Sequence, residues 1–294
     1  MHAALGAAQL GFALFPVLGK ITLGSVPPLT FAAIRVTASA LLLDLLRRLG
    51  SPAETLRPGD RRSILLFALL GVSINQVLFI LGLSMSTAIH TTILTAMIPV
   101  FTLVAAVALG RERFTRRAAL AILLAAIGAV LLLRPAGEGP AEGQTAGNLL
   151  LLANGLSYSL YLVLSRPILA RYRVSTFVAA VFRYGALPIV LCALPSLWRF
   201  DVGAVSGEAW ACFAGIIVVS TVMPYMLNSW ALARTEASRV AFYVFMQPLI
   251  STLLAVAVLG EGLSGSTVAA GVLILGGLAV SVLHRRQLPA RPVP

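Results

Sequence analysis

The sequence predicts an all-α polytopic membrane protein with ten transmembrane helices in two inverted five-helix repeats. Of its 294 residues, 59% are hydrophobic and only 11% are charged, whereas a soluble domain carries roughly 25% charged residues. Apolar stretches of about 20 residues, the length needed to cross a bilayer, recur throughout the chain. The second half also repeats the first at a constant offset of 149 residues, which pairs Met97-Ile98-Pro99 with Met246-Gln247-Pro248. Composition and repetition together therefore place the chain in a lipid bilayer.

Ten apolar stretches can be delimited between short connections that are charged or rich in Gly and Pro. The predicted spans are 3–23, 28–49, 61–83, 86–109, 114–134, 146–169, 174–197, 207–232, 235–259 and 264–284. The longest interruption, 135–146, contains Gly137, Gly139 and Pro140 and is interpreted as a linker. The predicted organisation is a first repeat over 1–134, this linker, a second repeat over 147–286 and a tail over 287–294.

The distribution of arginine predicts the orientation of these spans. Most of the 22 basic residues follow spans 2, 4, 6 and 8 or lie in the tail, while Arg134 and Arg199 stand in connections on the other side. Because cytoplasmic loops collect Lys and Arg, both termini are expected to be cytoplasmic, in a bacterial inner membrane. Each half has an odd number of spans, so the second half enters from the opposite side and the repeats are inverted. In such proteins the binding site lies near the midplane between the repeats.

Arg35 and Arg183 are charged residues at membrane depth, where a charge is costly unless it is paired or faces water. One interpretation is a cationic site in a central cavity that holds a carboxylate or phosphate. The other is a pair of structural arginines that bond backbone carbonyls or reach the interface. Lys20 is interpreted either as the outer mouth of the cavity or as a lysine that reaches the interface. None of the 10 acidic residues is placed mid-span, which favours an anionic or zwitterionic substrate over a cationic one.

Polar and aromatic side chains recur at helical spacing within the spans and are candidates to line the cavity. The substrate-binding candidates beside the two arginines are Phe12, Asn75, Gln76, Phe79, Asn154, Tyr158, Tyr161, Tyr225, Asn228 and Gln247. His90 is the candidate group that titrates near neutral pH, although a polar residue at a helix entrance also explains it. No metal or cofactor site is expected, and scattered basic residues do not indicate nucleic acid binding.

Three prolines inside spans are predicted hinge positions: Pro16, Pro99 and Pro248. Each removes a backbone hydrogen bond and bends its helix. Small residues around Pro99 and Pro248 would allow neighbouring helices to slide. The paired Gly128 and Gly277 lie in spans 5 and 10. These spans are expected to form either the scaffold of the bundle or the interface of a possible homodimer.

The residue pattern resembles the EamA family of the drug/metabolite transporter superfamily. The features that carry the resemblance are ten spans in two homologous halves, Lys20 and Arg166 closing the first span of each half, Arg35 and Arg183 in the second, and Pro99 and Pro248 followed by a Gly/Glu exit in the fourth. The resemblance covers residues 3 to 284. Many relatives carry Trp in the first span of each half, where this chain has Phe12 and Tyr158.

The resemblance implies a secondary transporter that exports amino acids or similar small polar metabolites by alternating access, in contact with lipid. An organophosphate or nucleotide-sugar exchanger is the alternative within transport, and it would need more cationic residues in the cavity. An intramembrane enzyme is a further alternative. The chain has no H-E-x-x-H or G-x-S-x-G motif and only three histidines, so the sequence does not favour this class.

Overall fold

The computed structural model describes residues 1–50, 54–110, 114–133, 141–232, 243 and 246–285. Within these ranges the chain forms helices and no strand. The helices are α1 (His2–Leu23), α2 (Pro28–Gly50), α3 (Arg61–Ala68), α4 (Ile74–Met85), α5 (Ala88–Thr95), α6 (Ile98–Ala108), α7 (Arg116–Leu133), α8 (Ala141–Leu169), α9 (Val174–Trp198), α10 (Gly207–Ile217), α11 (Met223–Leu232), α12 (Met246–Leu259) and α13 (Gly265–Arg285).

In the described residues, each of the ten predicted spans contains at least one of these helices, and spans 3, 4 and 8 each comprise two of them. Within the described ranges, seven helical segments are long and apolar enough to cross a membrane, and shorter apolar helices lie within the remaining three spans. Span 6 begins at Ala141, earlier than predicted, so helix replaces part of the expected linker. Residues 134–140, Glu112, and the first part of span 9 except Tyr243 lie outside the described residues. The fold is therefore the polytopic all-α fold that the hydrophobic pattern predicts.

Spans 3 and 8 each contain a π-helical segment at the same position of the repeat. The segments are Leu69–Ser73 and Val218–Val222, and they are separated by the same 149 residues as the two repeats. A π turn is one residue wider than an α turn. The hydroxyl of Thr221 accordingly donates to the carbonyl of Ile216, five residues earlier, at 2.9 Å. The segments join α3 to α4 and α10 to α11.

The helix packing follows the repeat. The two most extensive contacts join α7 to α13 and α2 to α9, which are spans 5 and 10 and spans 2 and 7. Span 1 packs against spans 8 and 9, while span 6 packs against spans 3 and 4. The first span of each half therefore packs against the third and fourth spans of the other half. Inverted repeats are expected to pack in this reciprocal way.

Gly128 and Gly277 allow α7 and α13 to approach closely. A Cβ atom on Gly128 would lie 2.8 Å from the carbonyl oxygen of Ala270, and one on Gly277 would lie 2.7 Å from that of Ala121. Both distances are shorter than any normal contact, so only glycine fits. The paired glycines thus serve packing within the chain.

Span 4 is broken near its middle. Helix α5 ends at Thr95 and α6 begins at Ile98, with Pro99 in its first turn. Proline suits this position because the first turn of a helix has no partner for its N–H. Pro248 lies within α12, whose described part begins at Met246, and α1 continues through Pro16. The hinge role of the three prolines stays a prediction.

Candidate functional site

Arg35 lies at the centre of the candidate site and is only 2% exposed. It projects from α2, two turns after Pro28. Its Nε donates to the hydroxyl of Thr221 at 3.0 Å, and its Nη1 donates to Oε1 of Gln76 at 2.6 Å. Spans 2, 3 and 8 therefore converge on one guanidinium group, with partners contributed by both repeats.

An aromatic stack covers one face of this guanidinium. The Cζ atom of Arg35 lies 4.0 Å from the ring centroid of Phe15, a cation–π contact. Phe15 stacks in turn on Phe79 at 4.9 Å. The stack excludes water from the cation and leaves its edges for hydrogen bonding.

A chain of amides leads from Gln76 to span 6. Gln76 donates to Oδ1 of Asn75 at 3.1 Å. Asn75 and Asn154 then exchange bonds with each other's backbone, since the Asn154 amide donates to the Asn75 carbonyl at 2.8 Å and the Asn75 amide donates to the Asn154 carbonyl at 3.4 Å. These bonds hold α4 against α8 and orient the Gln76 oxygen toward Arg35.

Three tyrosines complete the site. The Tyr225 hydroxyl lies beside the side chains of Tyr158 and Gln76 and within electrostatic range of Arg35. The centroid of its ring lies 5.8 Å from that of Phe12, and the two rings form an edge-to-face contact. The Tyr161 ring packs 5.6 Å from that of Tyr158. Phenol groups thus provide further donors next to the cation.

The charge of Arg35 has no carboxylate partner among the described residues. The three ion pairs found there join Asp44 to Arg47 and Arg48, and Asp60 to Arg171. Guanidinium groups keep their proton in proteins, so Arg35 carries a buried positive charge whose contacts in the described part of the chain are with neutral groups. Such a charge is costly unless an anion compensates it.

The structure brings most of the predicted site residues together. Those that join Arg35 in one connected cluster are Phe12, Asn75, Gln76, Phe79, Asn154, Tyr158, Tyr161 and Tyr225. Asn228 lies one turn beyond Tyr225 on α11, and its buried Oδ1 has no partner in the described structure. Gln247 instead donates to Oε1 of Gln9, which joins spans 9 and 1.

Arg183 does not join this cluster, although it was predicted to share the cavity with Arg35. It lies on the exposed face of α9 in line with Leu187 and Leu191, and its Cζ is 5.2 Å from the ring centroid of Tyr184. The offset of 149 residues between the repeats pairs Arg35 with Tyr184. Arg183 comes one residue earlier, and one residue corresponds to a rotation of about 100° around an α-helix, so Arg183 faces outward.

Lys20 lies away from the cluster, at the end of α1, and is half-buried. It is within electrostatic range of Glu261. The Glu261 carboxylate accepts hydrogen bonds from the backbone N–H groups of Ala88 and Ile89 at 2.7 and 2.9 Å, so it caps α5. Lys20 and Glu261 therefore belong to one end of the bundle, which also carries the connections 24–27 and 86–87.

Sequence reasoning missed Thr221 as a partner of Arg35. Its signal was available, because Thr221, Tyr225 and Asn228 recur at helical spacing in span 8. Phe182 was also missed, and its ring contacts that of Tyr225 at 5.1 Å. Apolar aromatic residues carry no sequence signal that distinguishes a site from a core.

The described bundle, with a polar cluster between interlocked repeats, is that of a membrane transporter. The EamA-like transporter family matches residues 3–134 and 145–283, so the chain belongs to this family. Similar proteins include an "uncharacterized transporter" of Archaeoglobus fulgidus, 24% identical over 90% of this chain and 92% of the relative. The transporter YetK of Bacillus subtilis is 23% identical over 94% and 84% of the two chains. Protein WALLS ARE THIN 1 of Arabidopsis thaliana is 24% identical over 95% of this chain and 81% of that protein.

A solved crystal structure illustrates the shared fold. It aligns with a TM-score of 0.66 and 22% identity, and the alignment covers 99% of this chain and 100% of the other. The likeness extends over the whole bundle.

Proposed function

We propose that this transporter moves small anionic or zwitterionic metabolites across the membrane, with Arg35 as the group that binds their carboxylate. The observation that carries the proposal is a buried guanidinium whose partners among the described residues are all neutral. A substrate carboxylate would supply the missing negative charge and could accept two parallel hydrogen bonds from the planar group.

Amino acids and similar zwitterions fit the rest of the cluster better than phosphorylated substrates. Arg35 is the one cation among the clustered residues, whereas a phosphate or a nucleotide diphosphate carries about two charges to be compensated. The neighbouring amides and phenols of Gln76, Asn75 and Tyr225 suit the polar groups of a neutral zwitterion. An organophosphate or nucleotide-sugar exchanger remains the alternative. Export is the direction that the family resemblance suggests.

Alternating access between the repeats is the proposed mechanism. Arg35, Gln76 and Thr221 belong to both repeats, so relative movement of the repeats would make or break their contacts. The broken span 4 offers a place for bending near Pro99. The arginine distribution supports a bacterial inner membrane with both termini in the cytoplasm.

Counterflow in proteoliposomes tests the substrate class. Vesicles loaded in turn with amino acids, organic anions, sugar phosphates and nucleotide sugars are assayed for entry of labelled tracer. We expect exchange with a zwitterionic amino acid, loss in Arg35→Gln and partial retention in Arg35→Lys. Arg199→Gln, at the exposed end of α9, is the matched control, and Arg183→Gln is expected to behave like the parent.

Two results would decide against the proposal. Exchange restricted to phosphorylated substrates would replace it with the organophosphate alternative. Normal exchange in folded Arg35→Gln protein would show that Arg35 does not bind the substrate.

A further inference from the structure

His90 lies at the junction of three spans at the same end of the bundle as Glu261. Its Nδ1 is 3.2 Å from the amide nitrogen of Asn148 in α8, and its Nε2 is 3.2 Å from the hydroxyl of Thr267 in α13. His90 itself belongs to the first turn of α5. One imidazole ring thus connects the first repeat to two helices of the second.

The bonds of Asn148 determine which nitrogen of His90 carries its proton. The Asn148 amide nitrogen also donates to the carbonyl of Leu132 at 2.8 Å, and Oδ1 accepts from Ser86 at 2.5 Å. A carbonyl can only accept, so the NH₂ group must point toward Leu132 and His90. The Nδ1 atom of His90 is therefore an acceptor, and Nε2 carries the hydrogen that Thr267 accepts. This arrangement holds His90 in its neutral form.

A second proton on Nδ1 would oppose this arrangement directly. It would place an N–H group against the NH₂ of Asn148, and two donors cannot bond each other. Rotating the amide would restore the bond to His90 and let the Ser86 hydroxyl accept from Nδ2, but it would place Oδ1 against the carbonyl oxygen of Leu132, and two acceptors cannot bond each other. Asn148 is fully buried, so water cannot readily replace the lost bonds.

The charged groups around His90 are few. Glu261, from the connection between α12 and α13, is within electrostatic range of His90 and also of Lys20 on α1. Helices α4 and α12, which also pack on α5, contain no ionisable residue, and α8 and α13 present Asn148 and Thr267 to the ring. A protonated His90 would therefore be drawn toward Glu261, the residue that caps α5.

We propose that His90 is a proton-binding site that operates a latch between α5 and α8. In the neutral state the His90–Asn148 bond fastens the two repeats at this end. A proton from solution binds the Nδ1 lone pair, the Asn148 bond is lost, and the imidazolium pairs with the Glu261 carboxylate. The end of the bundle then opens between α5 and α8. The link to substrate movement rests on the proposed transport function, but the latch can be tested without any substrate.

Histidine NMR tests the protonation step. In His2→Gln/His284→Gln protein, His90 is the only histidine, so ¹⁵N-histidine labelling reports on it alone. We expect the neutral ring with its hydrogen on Nε2 at pH 8, changing to the imidazolium as the pH falls toward 5. A ring that is neutral with its hydrogen on Nδ1, or that does not titrate above pH 5, would overturn the proposal.

Thiol labelling tests the opening step. Ala88 is fully buried at the start of α5, so Ala88→Cys in a Cys192→Ser/Cys212→Ser background reports on access to this end. The labelling rate is divided by that of the same protein unfolded in detergent, which removes the pH dependence of the thiol. We expect the normalised rate to rise about tenfold between pH 8 and pH 5.5. In His90→Gln protein it should not change with pH, whereas His2→Gln, the control, should keep the rise. A labelling rate that does not respond to His90 protonation would also overturn the latch. If the latch works but the protein does not transport, only the proposed transport function would be contradicted.

Discussion

Glu261 caps the helix that begins at Ala88, although 173 residues separate the two in the chain. The carboxylate accepts hydrogen bonds from the N–H groups of both Ala88 and Ile89, and it lies where the positive end of the helix dipole favours an anion. The connection between spans 9 and 10 therefore holds the entrance of span 4. A negative charge at this entrance fastens the second repeat to the first.

Replacing Glu261 with Ala should destabilise the protein. Two capped N–H groups would lose their partner, which costs about 0.5–2 kcal/mol for a typical helix cap. The measurement is the unfolding temperature of the purified protein in detergent. Asp44→Asn is the comparison, because its partly exposed ion pairs with Arg47 and Arg48, both within one helix, should contribute about 1 kcal/mol or less. Equal unfolding temperatures for the two variants would contradict the capping role.

Gly128→Ala should disrupt the contact between α7 and α13. The added Cβ atom would lie 2.7 Å from the Ile274 side chain and 2.8 Å from the Ala270 carbonyl oxygen, so the helices must move apart. Overpacking of this kind costs about 1–3 kcal/mol. Gly276→Ala is a matched control on α13, because no atom lies within 4 Å of its added Cβ. Thermal unfolding should show a loss for the first variant and no loss for the second.

Tyr172 is expected to fasten the opposite end of the bundle. Its hydroxyl donates to Asp60 at 2.8 Å and accepts from the Arg57 N–H at 3.0 Å. Burial and the neighbouring Asp60 carboxylate raise the pKa of the Tyr172 phenol. The stabilisation is therefore present below the unfolded pKa of about 10 and is lost as the pH rises through the higher folded value.

Tyr172→Phe should lower stability by about 1–3 kcal/mol at neutral pH, because Asp60 and Arg57 lose a buried partner. It should also reduce the decline in stability seen above pH 10. Thermal unfolding across pH 7 to 11 measures both effects. Tyr184→Phe serves as the control, since no hydrogen bond of its hydroxyl is found in the described part of the chain. A Tyr172→Phe protein as stable as this control would rule out the fastening role.

The spans could be predicted from the sequence because hydrophobicity and length determine which segments cross a bilayer. Features that depend on the packing of individual residues could not be predicted in this way. The π segments at Leu69–Ser73 and Val218–Val222 follow from packing between helices and have no composition signal of their own. The same limit applies to Glu261, whose partner in α5 depends on tertiary structure.

The candidate site shows where sequence reasoning succeeds and fails. Arg35 was recognisable because a charge inside an apolar span is rare and costly. Arg183 met the same criterion, yet it lies one position from the residue that matches Arg35 in the repeat and so faces outward. The constant offset of 149 residues pairs Arg35 with Tyr184, so the sequence carried a signal that separates the two arginines, and the structure shows that the one-residue shift leaves Arg183 exposed.

Pro99→Ala should slow transport more than it weakens substrate binding. Alanine supplies the N–H that proline lacks, which favours closing the break between α5 and α6 into one continuous helix, and such a helix resists the bending that alternating access needs. Transport rate in proteoliposomes and substrate affinity of the purified protein are measured on the same preparation. Equal losses in both would indicate a static role for Pro99.

Gln76→Glu should separate a substrate-binding role of Arg35 from a structural one. The Gln76 oxygen is 2.6 Å from Nη1 of Arg35, so a carboxylate at this position would form an ion pair without moving the backbone. If Arg35 binds the substrate anion, this internal carboxylate competes for it, and the KM for an anionic or zwitterionic substrate should rise about tenfold or more. The unfolding temperature should stay near that of the parent, because the new ion pair offsets the loss of the hydrogen bond from Gln76 to Oδ1 of Asn75. If Arg35 is purely structural, the same variant would keep the parent's KM, because the added ion pair would then compete with nothing.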